Sequence, residues 1–344
     1  MNYIGSKLRL SDWIVKTIRK KYTQSDFSKP FSETTFAELF AGTGIISRTL
    51  KTSVKQIIAN DLEPYSYFLL KNYIENTDEI QSERIVLLIE ELNNLSIEGK
   101  ENGFIYQNYC EGSGSERMYF SDENGKKIDV IRQKIKEWSE NNFVSQSEYY
   151  FLLASLLESA DKVANTASVY GAFLKKLKKS AQKNLELSPA HFPITKNQNN
   201  KVFREDANEL IKKIKGDILY LDPPYNARQY GANYHLLNTI ALYDNFEPKG
   251  KTGLREYERS KYCKKSEVEV VFEDLIKNAD FKLIFLSYNN EGLMSLETIK
   301  RIMSKYGSYS LEKTEYQRFK ADKDQNREHK ANATVEYLHI LIKE

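Results

Sequence analysis

Residues 217–225 read DILYLDPPY, and no other stretch limits the fold so tightly. Ile218, Leu219, Tyr220 and Leu221 form an unbroken apolar run of the kind found in a strand buried on both faces of a parallel sheet. Asp222 then sets a carboxylate at the carboxyl end of that strand. Pro223 and Pro224 stop the ladder and stiffen the chain beyond it, and Tyr225 adds an aromatic face beside the acid. In an open α/β sheet, the crevice outside the strand ends is where ligands bind. For the tetrapeptide alone, a strand that stops at a turn is the simpler account.

The rest of the chain supplies the alternation that such a sheet needs. YIGSK near the start reads as a short loop, followed by an amphipathic helix through Ile14, Ile18 and Tyr22. FSKPFSE (27–33) is a connector, and TTFAELF (34–40) predicts a strand, with AGTG and then a helix from Ile45 to about Leu50 behind it. QIIANDLE (56–63) predicts a second strand ending in acid, and Pro64 is well placed to start the next helix. Between 77 and 200 the pattern changes. GFIYQNYCEGSGSERMYFSDENGKKID (103–129) predicts a β-hairpin with Gly-rich turns. IDVIRQKIKEWSENN and SEYYFLLASLLESADKVAN predict helices, and SPAHFPITKNQNNK a loop. Alternation resumes with VFRED, ANELIKKIK and DILYL. FKLIFLSY (281–288) predicts a buried strand, and SYSLEKTEYQRF and ATVEYLHILIK a terminal antiparallel pair. The expected organisation is an α/β core made of 1–76 and 201–344, interrupted by a mixed insertion over 77–200.

Composition narrows the class. With 344 residues, 40% hydrophobic and 29% charged, the chain suits a folded protein rather than a disordered one. Cys110 and Cys263 are too few for a disulfide framework or a zinc site, and the four His show no ligand spacing. The start lacks an apolar signal region, and no apolar run is long enough to span a bilayer. A cytoplasmic protein without metal or membrane is expected. Net charge is only +3, so its distribution matters more. Lys175, Lys176, Lys178 and Lys179 cluster in GAFLKKLKKSAQK. Arg228, Lys249, Lys251, Arg255, Arg259, Lys261, Lys264 and Lys265 follow Tyr225. Such clusters could neutralise phosphates; a solvated helix face is the alternative.

Three features converge on a ligand site. Gly42 and Gly44 lie between a predicted strand and helix, where a Gly-rich turn lets a ligand approach the backbone. The spacing is not GxGxxG, and a tight turn explains it equally well. Asp61 ends the second strand, where an acid commonly accepts hydrogen bonds from ribose hydroxyls; a helix N-cap is its other reading. Together these point to an adenosine-type ligand, with NAD and S-adenosylmethionine both open. Asp222 and a carbonyl of the Pro-Pro turn supply two acceptors for an amine, and Tyr225 can stack on a flat base. Two acceptors around an exocyclic amine help bring its nitrogen towards a nucleophilic geometry, which methyl transfer requires and hydride transfer does not.

The ordered motifs resemble the Dam-like family of DNA adenine-N6 methyltransferases, in particular its type II restriction–modification members. The matches are YIGSK, FAELFAGTG, NDLE, VFREDANEL, DPPYNARQY and FLSYNNEG, with NTASVYGAFLKK similar to part of the family's target-recognition region. Their order corresponds to the family's α arrangement and covers nearly the whole chain. The resemblance implies a Rossmann-like, mixed seven-stranded methyltransferase sheet with an inserted target-recognition region, binding S-adenosylmethionine and double-stranded DNA. A cognate restriction endonuclease is the implied partner. Carried over by position, Tyr3, Lys7, Phe40, Gly42, Gly44, Asp61, Leu62, Asp206 and Asp222 would contact the cofactor, with Glu205 competing for the place of Asp206. Asp222, Pro223, Pro224 and Tyr225 would grip a flipped adenine. Lys175, Lys176, Lys178, Lys179, Arg228 and Tyr230 would contact DNA, and Gly231 and Asn233 would shape the mouth of the base pocket. Cytosine-N4 or RNA adenine methylation, or an inactive binding relative, are the alternatives.

Overall fold

The apolar runs become seven strands: β1 (Thr35–Glu38), β2 (Gln56–Asn60), β3 (Lys201–Phe203), β4 (Lys215–Leu221), β5 (Asp280–Asn289), β6 (Gly307–Gln317) and β7 (Ala333–Lys343). The computed structural model describes residues 6–76, 82–191, 199–317 and 333–344. The strands form one sheet in the order β3-β2-β1-β4-β5-β7-β6. β1 to β5 are mutually parallel, and β7 runs antiparallel to both β5 and β6. This is the expected mixed sheet, with the terminal pair in place. The chain leaves β1 towards β2 and β3, then returns on the other side of β1 as β4. Strand order therefore reverses between β1 and β4, and the ligand crevice of such a sheet opens at their carboxyl ends.

Register decides which side chains meet there. Glu38 pairs with Tyr220 and Tyr220 with Phe285, so these three share one face, and Asp222, two residues beyond Tyr220, belongs to it as well. The opposite face carries Ala37, Leu219 and Ile284. These pack into one core with Phe272, Leu275 and Ile302 from helices Val268–Asn278 and Leu296–Met303. Ile218 to Leu221 are at most 1% exposed, as a strand covered on both faces must be. Burying each such side chain is worth roughly 2 kcal/mol.

The described residues divide into two compact units. One comprises 6–62, 199–229, 258–317 and 333–344 and holds the sheet; the other comprises 63–76, 82–191 and 230–257. The second unit is built mainly of helices, including Pro64–Leu70, Ser82–Asn93, Asp122–Glu140, Gln146–Val163 and His235–Leu242. The segments 63–76 and 230–257 thus cluster with the inserted region. A capping box starts Gln146–Val163: the Glu148 N–H donates to Ser145 Oγ, and the Ser145 N–H to Glu148 Oε2. Buried Arg132 closes the other end of a neighbour, donating to the Ile240 and Ala241 carbonyls at 2.9 Å each.

The predicted hairpin over 103–129 does not form. Residues 104–109 are helical, the helix Asp122–Glu140 begins before the segment ends, and a single bridge between Cys110 and Phe120 is what remains of strand pairing. Asp129, 1% exposed, accepts the Ile105 and Tyr106 N–H groups at 2.9 and 2.8 Å, satisfying the helix N-terminus from a distant helix. Gly103 makes room for it, since a Cβ there would lie 2.1 Å from Asp129 Oδ2. The lysine-rich stretch 171–183 is not a helix face either. It runs as turns around buried Asn165, which donates to the Met118 and Leu174 carbonyls and accepts the Lys178 N–H.

Candidate active site

β1 ends at Glu38, and six residues carry the chain to the helix Ile45–Leu50. Within that turn Gly42 and Gly44 have φ of +53° and +68°. An L side chain in this left-handed region costs roughly 1–2 kcal/mol, so glycine is what the turn requires. The Gly42 N–H donates to Asp61 Oδ2 at 2.7 Å, which joins the glycine turn to the acid at the end of β2. Asn60, 1% exposed, ties the neighbouring strand ends together. Its amide donates to the Leu39 and Glu205 carbonyls at 3.0 Å each, and its carbonyl accepts the Glu205 N–H at 3.0 Å. Phe40, Asp61 and Leu62 are half-buried at this rim. The Phe40 ring stands edge-on to Tyr262 with centroids 4.8 Å apart. Asp206 is exposed and caps the helix Ala207–Leu210 through the Asn208 and Glu209 N–H groups. The Glu205 carboxylate lies on Lys213, 2.5 Å away. A turn with two glycines at positive φ, an acid at the next strand end and a half-exposed aromatic ring suit an adenosine-containing ligand.

The other half of the site lies at the end of β4. The Asp222 carboxylate is 2.8 Å from the Lys7 ammonium, which also lies 3.2 Å from Glu336 on β7. Lys7 is therefore directed at the acid of the DPPY motif. All three groups are enclosed, with side-chain exposures of 5% for Lys7, 15% for Asp222 and 2% for Glu336. Burial raises the Asp222 carboxyl to about 6, against the pull of Lys7 and with a further push from Glu336. Burial alone would lower the Lys7 ammonium, but Asp222 and Glu336 carry it well above its ordinary range. The Tyr225 ring stands 5.4 Å from Lys7 Nζ and edge-on to Tyr288, and the Tyr225 carbonyl accepts the Leu293 N–H at 3.0 Å. Pro223 is buried and Pro224 half-buried behind it. Glu38, 2% exposed, accepts hydrogen bonds from the Ser47 N–H and hydroxyl. Burial pushes its carboxyl up to about 8, the Ser47 bonds hold it down, and Asp222 and Asp61 add to the rise.

The remaining residues singled out by sequence are more scattered. Tyr3 lies outside the described residues. Lys175, Lys176 and Lys179 are exposed, whereas Lys178 is half-buried and donates to the Thr166 carbonyl at 2.7 Å. Arg228 is exposed, and its carbonyl accepts the Cys263 thiol. Next to it, the Gln229 amide pairs both ways with the Ser260 backbone. Tyr230 begins the helix Tyr230–Asn233 and stacks on Tyr234. Gly231 lies against Tyr257, and the Asn233 carbonyl accepts the Tyr170 N–H. Among the described residues, no group of three His, Cys, Asp or Glu could hold a metal, and no helix is long and apolar enough to cross a membrane.

Sequence reasoning missed Glu38, Asn60 and Glu336. A usable signal was present for two of them: Glu38 in TFAEL and Glu336 in TVEYL are lone acids in otherwise apolar strands. Such an acid is rarely enclosed without a partner.

Residues 3–302 match the family model of the D12 class N6 adenine-specific DNA methyltransferases. The chain is 62% identical over 343 residues to the type II methyltransferase M.NlaIII of Neisseria lactamica, covering 100% of this chain and 99% of that protein. It is 40% identical to the type II methyltransferase M.CviAII of Paramecium bursaria Chlorella virus 1, with 93% of each covered. It is also 39% identical to the type II methyltransferase M.FokI of Planomicrobium okeanokoites, covering all of this chain and 53% of that larger protein. On the match of family and motifs, the chain belongs to the D12 class of N6 adenine-specific DNA methyltransferases.

Proposed function

We propose that the chain methylates N6 of an adenine flipped out of double-stranded DNA, at a specific sequence, as the modification enzyme of a type II restriction–modification system. The observation that carries the catalytic reading is the placement of Asp222. It stands at the carboxyl end of β4, beside the glycine turn of β1, where the strand order reverses. The restriction–modification reading draws on the relatives, which are type II methyltransferases; a cognate endonuclease and a cytoplasmic location follow from it.

S-adenosylmethionine supplies the methyl group as an electrophilic sulfonium. Gly42 and Gly44 would let its methionine part approach the backbone, with Phe40 at that rim and Lys7 held beside Asp222. Asp61 would accept from the ribose hydroxyls, with Leu62 beside it, and Asp206 would face the adenine portion of the cofactor. The Asp222 carboxylate and the Pro223 carbonyl accept the two hydrogens of the target amine, which orients its nitrogen for attack. Pro224 keeps that turn stiff and Tyr225 stacks on the base. The base has to leave the duplex to reach Asp222. Lys175, Lys176 and Lys179 with Arg228 and Tyr230 hold the DNA backbone, and the unit containing 82–191 reads the sequence.

The acceptor pair suits cytosine N4 as well as adenine N6, and the family favours adenine. Nucleoside mass spectrometry on unmethylated plasmid treated with protein and S-adenosylmethionine tests the choice. N6-methyladenine is the expected product, and mapping it gives the target sequence. N4-methylcytosine, or methylation of RNA alone, would overturn the substrate reading.

A further inference from the structure

Lys7 is one ammonium between two enclosed carboxylates, and only one of them, Asp222, has a role in holding the target amine. The other, Glu336, stands on β7 in register with Asn289 of β5, and it reaches Lys7 only because the terminal strands add to the sheet. Resting on the reading of Asp222 as the acceptor of the target amine, we propose that Glu336 is a positioning residue of the reaction. By sharing Lys7 with Asp222, it gives the trio a net negative charge and leaves Asp222 able to accept from the amine.

The chemistry calls for such a charge. The N6 lone pair forms a bond to the methyl carbon, the carbon–sulfur bond breaks with its electrons going to sulfur, and positive charge passes from sulfur to nitrogen. The nitrogen then releases a proton to water. A Lys7–Asp222 pair alone is neutral and offers the developing cation little. With Glu336 added, two carboxylates face one ammonium in a poorly solvated site, where a fixed charge acts strongly. Among the described residues, the other groups facing the trio do not cancel this charge. Tyr220 shares its hydroxyl with Ser287 at 2.8 Å, Tyr225 presents a ring to Lys7, and the Glu38 carboxyl is held by Ser47. The like charge of Glu336 also contributes to the elevated Asp222 carboxyl.

The test uses the full chain with Glu336→Gln and Glu336→Asp. Three quantities are read: the single-turnover methylation rate against pH, the affinities for DNA and S-adenosylmethionine, and the Asp222 carboxyl titration followed by 13C NMR in the free protein. For Glu336→Gln, the Asp222 midpoint and the acid limb of the rate both move down by about one pH unit. The plateau rate falls about tenfold, while both affinities stay within about twofold. Glu336→Asp keeps the charge but withdraws it by one methylene, and gives intermediate values of the midpoint, the acid limb and the plateau; it serves alone if the Gln variant does not fold. An unmoved Asp222 midpoint with a wild-type plateau, in whichever variant folds, overturns the proposal. Asp222→Asn is the control. Wild-type turnover by that variant would sink the reading of Asp222 itself, and the Asp222 titration would still report separately whether Glu336 governs its charge.

Discussion

Glu38→Gln offers a severe test of the electrostatics. The side chain is 2% exposed, and its oxygen accepts two hydrogen bonds from Ser47, which a glutamine carbonyl can also accept. Burial raises its carboxyl to about 8, from an ordinary 4.5. Below pH 4.5 the folded and unfolded states both hold the proton. Between 4.5 and 8 only the folded state does, so stability declines as pH rises, by about 1.4 kcal/mol per pH unit. The full gap corresponds to about 5 kcal/mol by pH 8. Glutamine does not titrate, so this slope disappears in the variant. The advantage of wild type over Glu38→Gln should therefore shrink by about 3 kcal/mol between pH 5.5 and 7.5. Urea unfolding can read this in the unit that holds the sheet. Trp13 lies on the helix Ser11–Gln24 of that unit and Trp138 in the other, so a Trp138→Phe background leaves Trp13 as reporter. A difference in stability that stays constant over this range would refute the argument and make Glu38 an ordinary ionised acid.

The site sets two further expectations. Gly44→Ala places a side chain at φ +68°, so it should lose about 1–2 kcal/mol in urea unfolding and bind S-adenosylmethionine several-fold more weakly by calorimetry; unchanged binding would remove the glycine turn from the cofactor site. Replacing the exposed Lys175, Lys176 and Lys179 together by Glu should weaken DNA binding and flatten its dependence on salt, by about 0.9 in logarithmic slope for each phosphate no longer neutralised. An unaltered slope would place the DNA elsewhere.

The sheet was legible because its strands are local apolar runs and its turns carry their own chemistry. DILYL ends in Asp-Pro-Pro, and AGTG supplies glycines where positive φ is needed. The hairpin over 103–129 failed for a physical reason. FIYQNY has aromatic and β-branched residues that favour strand pairing, and its Gly-rich neighbour suggests a turn. The helix that forms instead depends on Asp129, 24 positions from Ile105, for its N-terminal hydrogen bonds. No local pattern announces that partner. The catalytic end shows the same division. Asp222 was readable from its motif, whereas the Lys7–Glu336 ion pair joins residues from opposite ends of the sequence. Lys178 likewise belonged to a plausible basic cluster, but its half-buried ammonium donates to the Thr166 carbonyl.

Asp222→Asn, assayed under single turnover with DNA and S-adenosylmethionine both saturating, shows directly whether Asp222 takes part in the transfer. Asparagine keeps the shape of the side chain, and Glu336 still faces Lys7, so the fold and both affinities should persist. The transfer rate should fall by at least about a hundredfold, with DNA and cofactor still bound. Transfer at the wild-type rate would contradict this and remove Asp222 from the chemistry.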